Sequence, residues 1–243
     1  CCTITCGVAL MEKMGEKTMS APQRRGRIYP RHAGTNDPVP PTTLPPVTMV
    51  VSVRHLPVLP YAHAVARKIV LYCGDITKLE VDAIVNAANP TLLGGGGVDG
   101  AIHRAADHPE FLAECRRLGG CRTGEAKTTN AYRLPCKSVI HTVGPVYSEH
   151  SPSEARRLLQ SAYRHSLLEA VRHQLRTVAF PSISTGVYGY PKEDATKAAL
   201  EEVTTFLASE AGSALHLVVF CCFSEHDLAV YQRTAPIFFG AAL

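Results

Sequence analysis

The chain has no pair of cysteines two residues apart, and no His/Cys cluster at the spacing of a zinc finger. That excludes the common structural zinc modules. No apolar run reaches the ~18 residues that a spanning helix needs, so a membrane protein of that type is excluded. Charge is sparse, with 19% charged residues and a formal net charge of +4. So mild a balance tolerates a polyanionic ligand without arguing for nucleic acid. The cluster Arg24, Arg25, Arg27 and Arg31 is not interleaved with aromatics as a nucleic-acid stripe would be. Internal repeats are absent. A secretory signal is not expected, because Cys1–Leu10 is short and is followed by charge rather than a small-residue cleavage site. A start at Cys1 instead of Met reads as a fragment or a processed form.

What is present suffices for a folded domain. Of the 243 residues, 46% are apolar, and a chain of that length can bury a full core. Nine cysteines are scattered without a framework pattern, several of them inside apolar runs. Reduced cysteine there behaves as a small hydrophobe, so the expected setting is an intracellular, reducing compartment.

Residues 1–47 differ from the rest, with the Arg cluster followed by the Pro/Thr-rich run Pro38–Pro46. Little apolar surface is available there to offset ordering entropy, and a disordered tail is expected; a transit peptide is the sharper reading of the acid-poor stretch after Lys17, with Glu12 and Glu16 against it. Residues 48–67 read as a connecting segment and residues 68–240 as the domain. Short β-branched runs at Ile69–Cys73, Val81–Val85, Lys137–Val143, Thr177–Phe180 and Leu215–Cys222 predict buried strands, and Ala126–Tyr132 one more. Between them, Leu158, Leu159, Ala162, Tyr163, Ser166, Leu167, Ala170 and Val171 make one helical face. Ala195–Leu207 makes another, and Val98–Ala106 a shorter one. Strands alternating with helices predict an α/β fold with helices on both faces of a largely parallel sheet.

In such sheets ligands bind beyond the carboxyl ends of the strands. The polar and glycine-rich segments fall there. Four glycines, Gly94–Gly97, open a helix at Val98, and bare backbone N–H groups beside a helix N-terminus suit a phosphate. The run matches neither the P-loop nor the dinucleotide fingerprint. Ser184–Gly189 offers a second set of backbone donors, and two such loops can clamp a diphosphate. Asp99 reads either as a charge favoured at a helix start or as an acceptor for a ribose hydroxyl or a water. Asn89 reads as a turn residue before Pro90 or as a partner of a ribose diol. His103, one turn after Asp99, reads as a helix-surface partner. Tyr188 reads as a loop-packing aromatic or a lid.

Five segments occur together in order: Gly74-Asp-Ile-Thr77, Asp82-Ala-Ile-Val-Asn-Ala-Ala-Asn89, Leu93-Gly-Gly-Gly-Gly-Val-Asp-Gly-Ala-Ile-His103, Val139-Ile-His-Thr-Val-Gly-Pro145 and Pro181-Ser-Ile-Ser-Thr-Gly-Val-Tyr-Gly-Tyr-Pro191. In these the chain resembles the macrodomain family, and within it the MacroD-type hydrolases. Gly120–Lys127 and Phe220–Phe223 fit the same subgroup, and the resemblance covers residues 60–240. It implies a three-layer α/β/α fold around a mixed sheet of about six strands, which softens the largely parallel reading. It implies ADP-ribose as ligand and mono-ADP-ribosylated proteins as partners, with no cofactor and no metal. By motif position, Asp75 would accept from the adenine amino group, Ile76 would add a backbone contact and Phe223 would pack on adenine. Gly95, Gly96, Gly97 and Val98, with Ser184, Thr185, Gly186, Val187 and Tyr188, would hold the diphosphate. Asn89 and Asp99 would face the distal ribose as the catalytic pair. The implied reaction is hydrolysis of the ester joining ADP-ribose to Glu or Asp, or deacetylation of O-acetyl-ADP-ribose. A reader that only binds is the alternative, and a monomer is the default. Asp107 and Ala131 stand where the subgroup often has glycine, which puts local loop shape in question.

Overall fold

A computed structural model describes residues 49–240. The expectation for residues 1–47 lies outside them. In chain order the strands are β1 (Val51–Ser52), β2 (Ile69–Cys73), β3 (Leu79–Glu80), β4 (Ala83–Ala87), β5 (Ala126–Asn130), β6 (Ser138–Thr142), β7 (Thr177–Phe180) and β8 (Leu217–Cys222). The α-helices are α1 (Gly97–Ala106), α2 (Pro109–Arg117), α3 (Pro152–Arg172), α4 (Lys192–Ala208), α5 (Glu225–Thr234) and α6 (Pro236–Phe239).

Six strands form one sheet in the order β2-β8-β7-β4-β6-β5. Of its five pairings, the four among β2, β8, β7, β4 and β6 are parallel, and edge strand β5 is antiparallel to β6. The sheet is thus mixed, with a single antiparallel edge. The central strands read as continuous apolar runs because both faces are covered. Successive residues go to opposite layers. Ala83, Val85, Ile140, Val178, Phe180, Val218 and Phe220 pack with α3, α4 and α5. Ile84, Val139, Ala179 and Val219 pack with α1 and α2. This period of two, with helices above and below, makes the three layers.

Local signals set the helix ends. Ser151 Oγ accepts the N–H of Glu154, with Pro152 at the first helical position of α3. Ser224 caps α5 in the same way through Asp227. Strands β2 and β7 match their expected bounds, and β4, β5, β6 and β8 lie one or two residues from theirs, as element ends do. Helix α2 escapes periodicity analysis because it buries little apart from Phe111 and Cys115. Strands β1 and β3 are two residues each, too short to show alternation, and pair in parallel. Leu59, Tyr61, Val65 and Ala66, upstream of β2, pack into the α3/α4 layer.

Of the two positions where glycine was expected from the resemblance, Asp107 alone has a visible backbone cost. Asp107 caps α1 in the left-handed region at φ 36°, a conformation that glycine adopts more readily. Its carboxylate pairs with Arg133, both side chains being well exposed. Ala131 is buried, and the left-handed residue of that turn is the next one, Tyr132 at φ 54°.

An aromatic column ties the sheet to its helices. Phe180 lies 5.0 Å from Tyr163 on α3 and 6.3 Å from Phe220, which lies 4.8 Å from Tyr231 on α5. Phe180 is also the last residue of β7, directly before the Pro181–Tyr190 loop. Phe180→Ala is expected to cost about 3–5 kcal/mol in chemical denaturation and to loosen that loop. A loss below about 1 kcal/mol would show that the column does not anchor it.

Candidate functional site

The seam between β4 and β7 is where the chain leaves the sheet in two directions. After β4 it passes to α1 on one face, and after β7 to α4 on the other. Divergence of this kind leaves a crevice at the strand ends. The segment 88–99 forms one wall and the loop 181–190 the other. At the far end, β2 and β8 are neighbours, so Asp75, Ile76 and Phe223 share one place.

The first wall starts as a tight turn. Asn89 Oδ1 accepts from the Thr91 N–H at 3.0 Å and from its hydroxyl at 2.6 Å, while Asn89 Nδ2 donates to the Gly94 carbonyl at 2.9 Å. The turn role of Asn89 is therefore realised, and one hydrogen of its amide is left over. Leu92 is fully buried yet held at φ 61°, pinning the loop to the α1/α2 layer. Beyond it, the N–H groups of Gly95, Gly96, Gly97, Val98 and Asp99 have no hydrogen-bond partner among the described residues, and the first bond of α1 runs from the Gly100 N–H to the Gly96 carbonyl. Gly95, Gly96 and Gly97 are exposed. The result is a row of orphan donors at the positive end of α1.

The second wall repeats the arrangement. The N–H groups of Ser184, Gly186, Val187 and Tyr188 are likewise unpartnered among the described residues. The loop is fixed by the Tyr190 N–H to the Ser184 carbonyl at 2.9 Å and the Tyr147 N–H to the Tyr188 carbonyl at 2.9 Å. Thr185 uses its hydroxyl within the loop, on the Ser182 carbonyl. Ser184 sits at φ 64° with its Oγ buried and unpartnered, packed where a side chain on residue 144 would stand. Val187 is 99% exposed.

At the other end, Asp75 Oδ1 accepts from the Thr77 N–H at 2.9 Å and its hydroxyl at 2.7 Å, which fixes the carboxylate at the surface. The N–H of Ile76 is free among the described residues, and its side chain is buried. Phe223 is 92% exposed, an apolar ring in water at the lip of the crevice.

Asp99 is the charged group inside, only 4% exposed. Its Oδ1 accepts from Asn86 Nδ2 at 2.8 Å, and His103 Nε2 lies 3.3 Å away but off the line of a hydrogen bond. A methyl built on Gly95 would stand 3.1 Å from Asp99 Oδ2 and 3.3 Å from Asn89 Nδ2, so both side chains converge beside that glycine. Burial raises the Tyr188 phenol above its usual range, and the charges of Asp99 and then Glu149 add to the rise. His103 is the partner of Asp99 expected from its spacing. It is not on the helix surface, however: its side chain is 15% exposed and lies edge-on to Phe111, with ring centroids 4.9 Å apart.

Sequence reasoning did not single out Asn86, His141 or Thr129. All three are buried, and they form a polar chain behind Asp99. Their signal is a polar residue inside an apolar strand run. Burial holds the His141 imidazole far below the usual histidine range, at about 3, with His103 adding to the effect and Asp99 opposing it. Among the described residues no group of three or more His, Cys, Asp or Glu could hold a metal ion, and no helix is long and apolar enough to cross a membrane. Burial also lifts the thiols of Cys115, Cys121 and Cys136 to about 11, which makes them packing groups.

A layered α/β/α domain with two amide-lined loops at one sheet seam defines a nucleotide-type ligand-binding fold. The Macro domain family model matches residues 85–199. A macro domain-containing protein of Chlorobaculum tepidum is 62% identical over 159 residues, covering 65% of this chain and 90% of that relative. The Xenopus laevis ADP-ribose glycohydrolase MACROD2 is 52% identical over 177 residues, covering 73% of this chain and 42% of the relative, so the match spans under half of that protein. The structure of a Trypanosoma brucei macrodomain in complex with ADP-ribose aligns with a TM-score of 0.71 at 45% identity, covering 77% of each chain. The chain belongs to the macrodomain family.

Two outcomes test this geometry. Gly100→Ala would ordinarily favour a helix by about 1 kcal/mol. Here the new methyl would lie 2.5 Å from the Gly95 carbonyl oxygen, and overpacking of that kind costs about 1–3 kcal/mol. A net loss in thermal unfolding is expected, and a gain would contradict the close approach. His141 is neutral when folded but binds a proton when unfolded below about pH 6.5. Stability should therefore fall as pH drops from about 6.5 towards 3, by as much as about 1.4 kcal/mol per pH unit from this group. His141→Gln should flatten that part of the denaturation profile, and an unchanged profile would show that His141 is not held neutral.

Proposed function

We propose that the crevice binds ADP-ribose and that the protein hydrolyses the ester joining mono-ADP-ribose to acidic side chains of proteins. The carrying observation is the pair of loops at the ends of neighbouring strands β4 and β7 with unspent backbone donors, Gly95–Val98 and Gly186–Tyr188, together with one buried carboxylate. Amide rows at a helix start suit a diphosphate, which a lysine-poor cleft would otherwise hold weakly. Strand spacing supports the ligand's length. From β2 to β4 the cleft crosses three inter-strand gaps, roughly 14 Å, long enough for a base at one end and a sugar at the other. Phe223 offers an apolar face for the base, and Asp75 has a second carboxylate oxygen free to accept from an amino group. Relatives named as ADP-ribose glycohydrolases and a macrodomain crystallised with ADP-ribose point the same way.

In this reading the distal ribose lies at Gly95, between Asn89 and Asp99. Asn89 gives its remaining N–H to the sugar while keeping the turn closed. Asp99, with a ligand phosphate oxygen, orients a water. Water adds across the ester, the side chain leaves as a carboxylic acid and ADP-ribose keeps the hydroxyl. Burial strengthens the hold of Asp99 on that water, since few competing waters reach it. O-acetyl-ADP-ribose carries an ester on the same sugar and is a second substrate under this proposal. The buried thiols fit action in a reducing compartment.

The test pairs calorimetric titration of ADP-ribose with release of free ADP-ribose from a mono-ADP-ribosylated protein. Asp99→Ala is expected to keep ADP-ribose binding and to lose about 10²–10⁴-fold in hydrolysis rate. Full activity in Asp99→Ala would remove the catalytic assignment. Binding by the wild type without any hydrolysis would make the domain a reader.

A further inference from the structure

The interior behind Asp99 is not finished as a core would be. Asn86 and His141 are register partners on β4 and β6, fully buried, in a layer otherwise filled by Ile84, Val139, Ile102 and Phe111. Asn86 Nδ2 donates to Asp99 Oδ1 at 2.8 Å and stands 3.1 Å from His141 Nδ1. His141 Nε2 stands 2.9 Å from Thr129 Oγ1 and 3.8 Å from Cys115 Sγ. Asn86 Oδ1 is buried and has no partner. Leaving such an acceptor unmet costs about 1–3 kcal/mol, which an apolar residue at position 86 would avoid.

The directions of these bonds follow from the chemistry. The amide cannot be turned round, because its oxygen would then face the Asp99 carboxylate with no hydrogen between them. With the amide so placed, one of its hydrogens goes to Asp99 and the other to His141 Nδ1. That nitrogen must carry a lone pair, so the proton of the neutral ring sits on Nε2 and is donated to Thr129. Thr129 thus fixes the ring, the ring fixes the amide and the amide aims the carboxylate.

We infer that His141, held by Thr129, is a positioning residue that acts through Asn86 to hold the Asp99 carboxylate in its hydrolytic orientation. The inference rests on the function proposed above. Since the hydrogen-bonded route from His141 to the crevice runs through Asn86, its loss should alter the chemical step and not the grip on ADP-ribose. Asparagine places an oxygen near the position of Nδ1 and can accept from Asn86, whereas phenylalanine fills the space without an acceptor.

Three measurements on the full chain test this: ADP-ribose affinity, single-turnover hydrolysis of a mono-ADP-ribosylated protein, and thermal unfolding of His141→Phe, His141→Asn, Thr129→Val and Asp99→Ala. His141→Phe is expected to slow hydrolysis on the order of 10²-fold, as misplacement by about an ångström can do, with affinity unchanged. His141→Asn should regain most of that rate even if its melting temperature is the lower of the two, because it restores the acceptor and not the volume. Thr129→Val should slow hydrolysis in the same direction while disturbing packing least, and it carries the test if the His141 variants do not fold. Nitrogen NMR of the wild type should show the Nε2–H tautomer. An undiminished rate in His141→Phe or Thr129→Val, rates ranked by melting temperature alone, or an Nδ1–H tautomer would overturn the inference. Loss of activity in Asp99→Ala alone would leave the proposed function standing without the relay, and an inactive wild type would remove both.

Discussion

Backbone N–H groups must be paired or face something that pairs them, and this fold leaves two rows unpaired at one seam. The cause is topological. Strands β4 and β7 lie side by side but send their chains to opposite faces, so neither loop can satisfy the other. Each loop is instead held from behind. Leu92 is sunk in the α1/α2 layer at φ 61°, and the Pro181–Tyr190 loop is tied by the Tyr190 and Tyr147 amides. Rigid supports with unspent donors suit the proposed diphosphate, because little ordering remains to be done on binding.

The second constraint is charge. One buried carboxylate among orphan donors needs its own partner, and the structure supplies an amide and an imidazole rather than a lysine or arginine. Asn86 and His103 are the groups that reach Asp99 Oδ1. A cation there would neutralise Asp99, whose charge the proposed hydrolysis uses. The Asn86 amide aims the carboxylate while leaving its charge available to a water. His141, held neutral by burial, extends the same solution one step deeper.

Much of this was legible in the sequence, and the reasons are specific. The central strands announced themselves because burial on both faces makes them continuous apolar runs. The loops announced themselves through Gly94–Gly97 and Ser184–Gly189, since only small residues let backbone donors face a ligand. Helix α2 did not, because its buried side is little more than Phe111 and Cys115. The polar chain behind Asp99 was hidden for another reason. Asn86 and His141 are ordinary residues until strand register sets them side by side, and register belongs to the sheet, not to either segment. His103 was expected at the surface because its spacing to Asp99 is plain, whereas its inward tilt against Phe111 depends on where α2 packs.

The central claim is that the two amide rows act together on one diphosphate. The most direct measurement is an amide NMR titration of the folded protein with ADP-ribose. Resonances of Gly95–Val98 and Gly186–Tyr188 should move along one binding curve, with Ile76 joining them at the base end. Amides of both loops standing still while the ligand binds elsewhere, or one loop responding without the other, would contradict it.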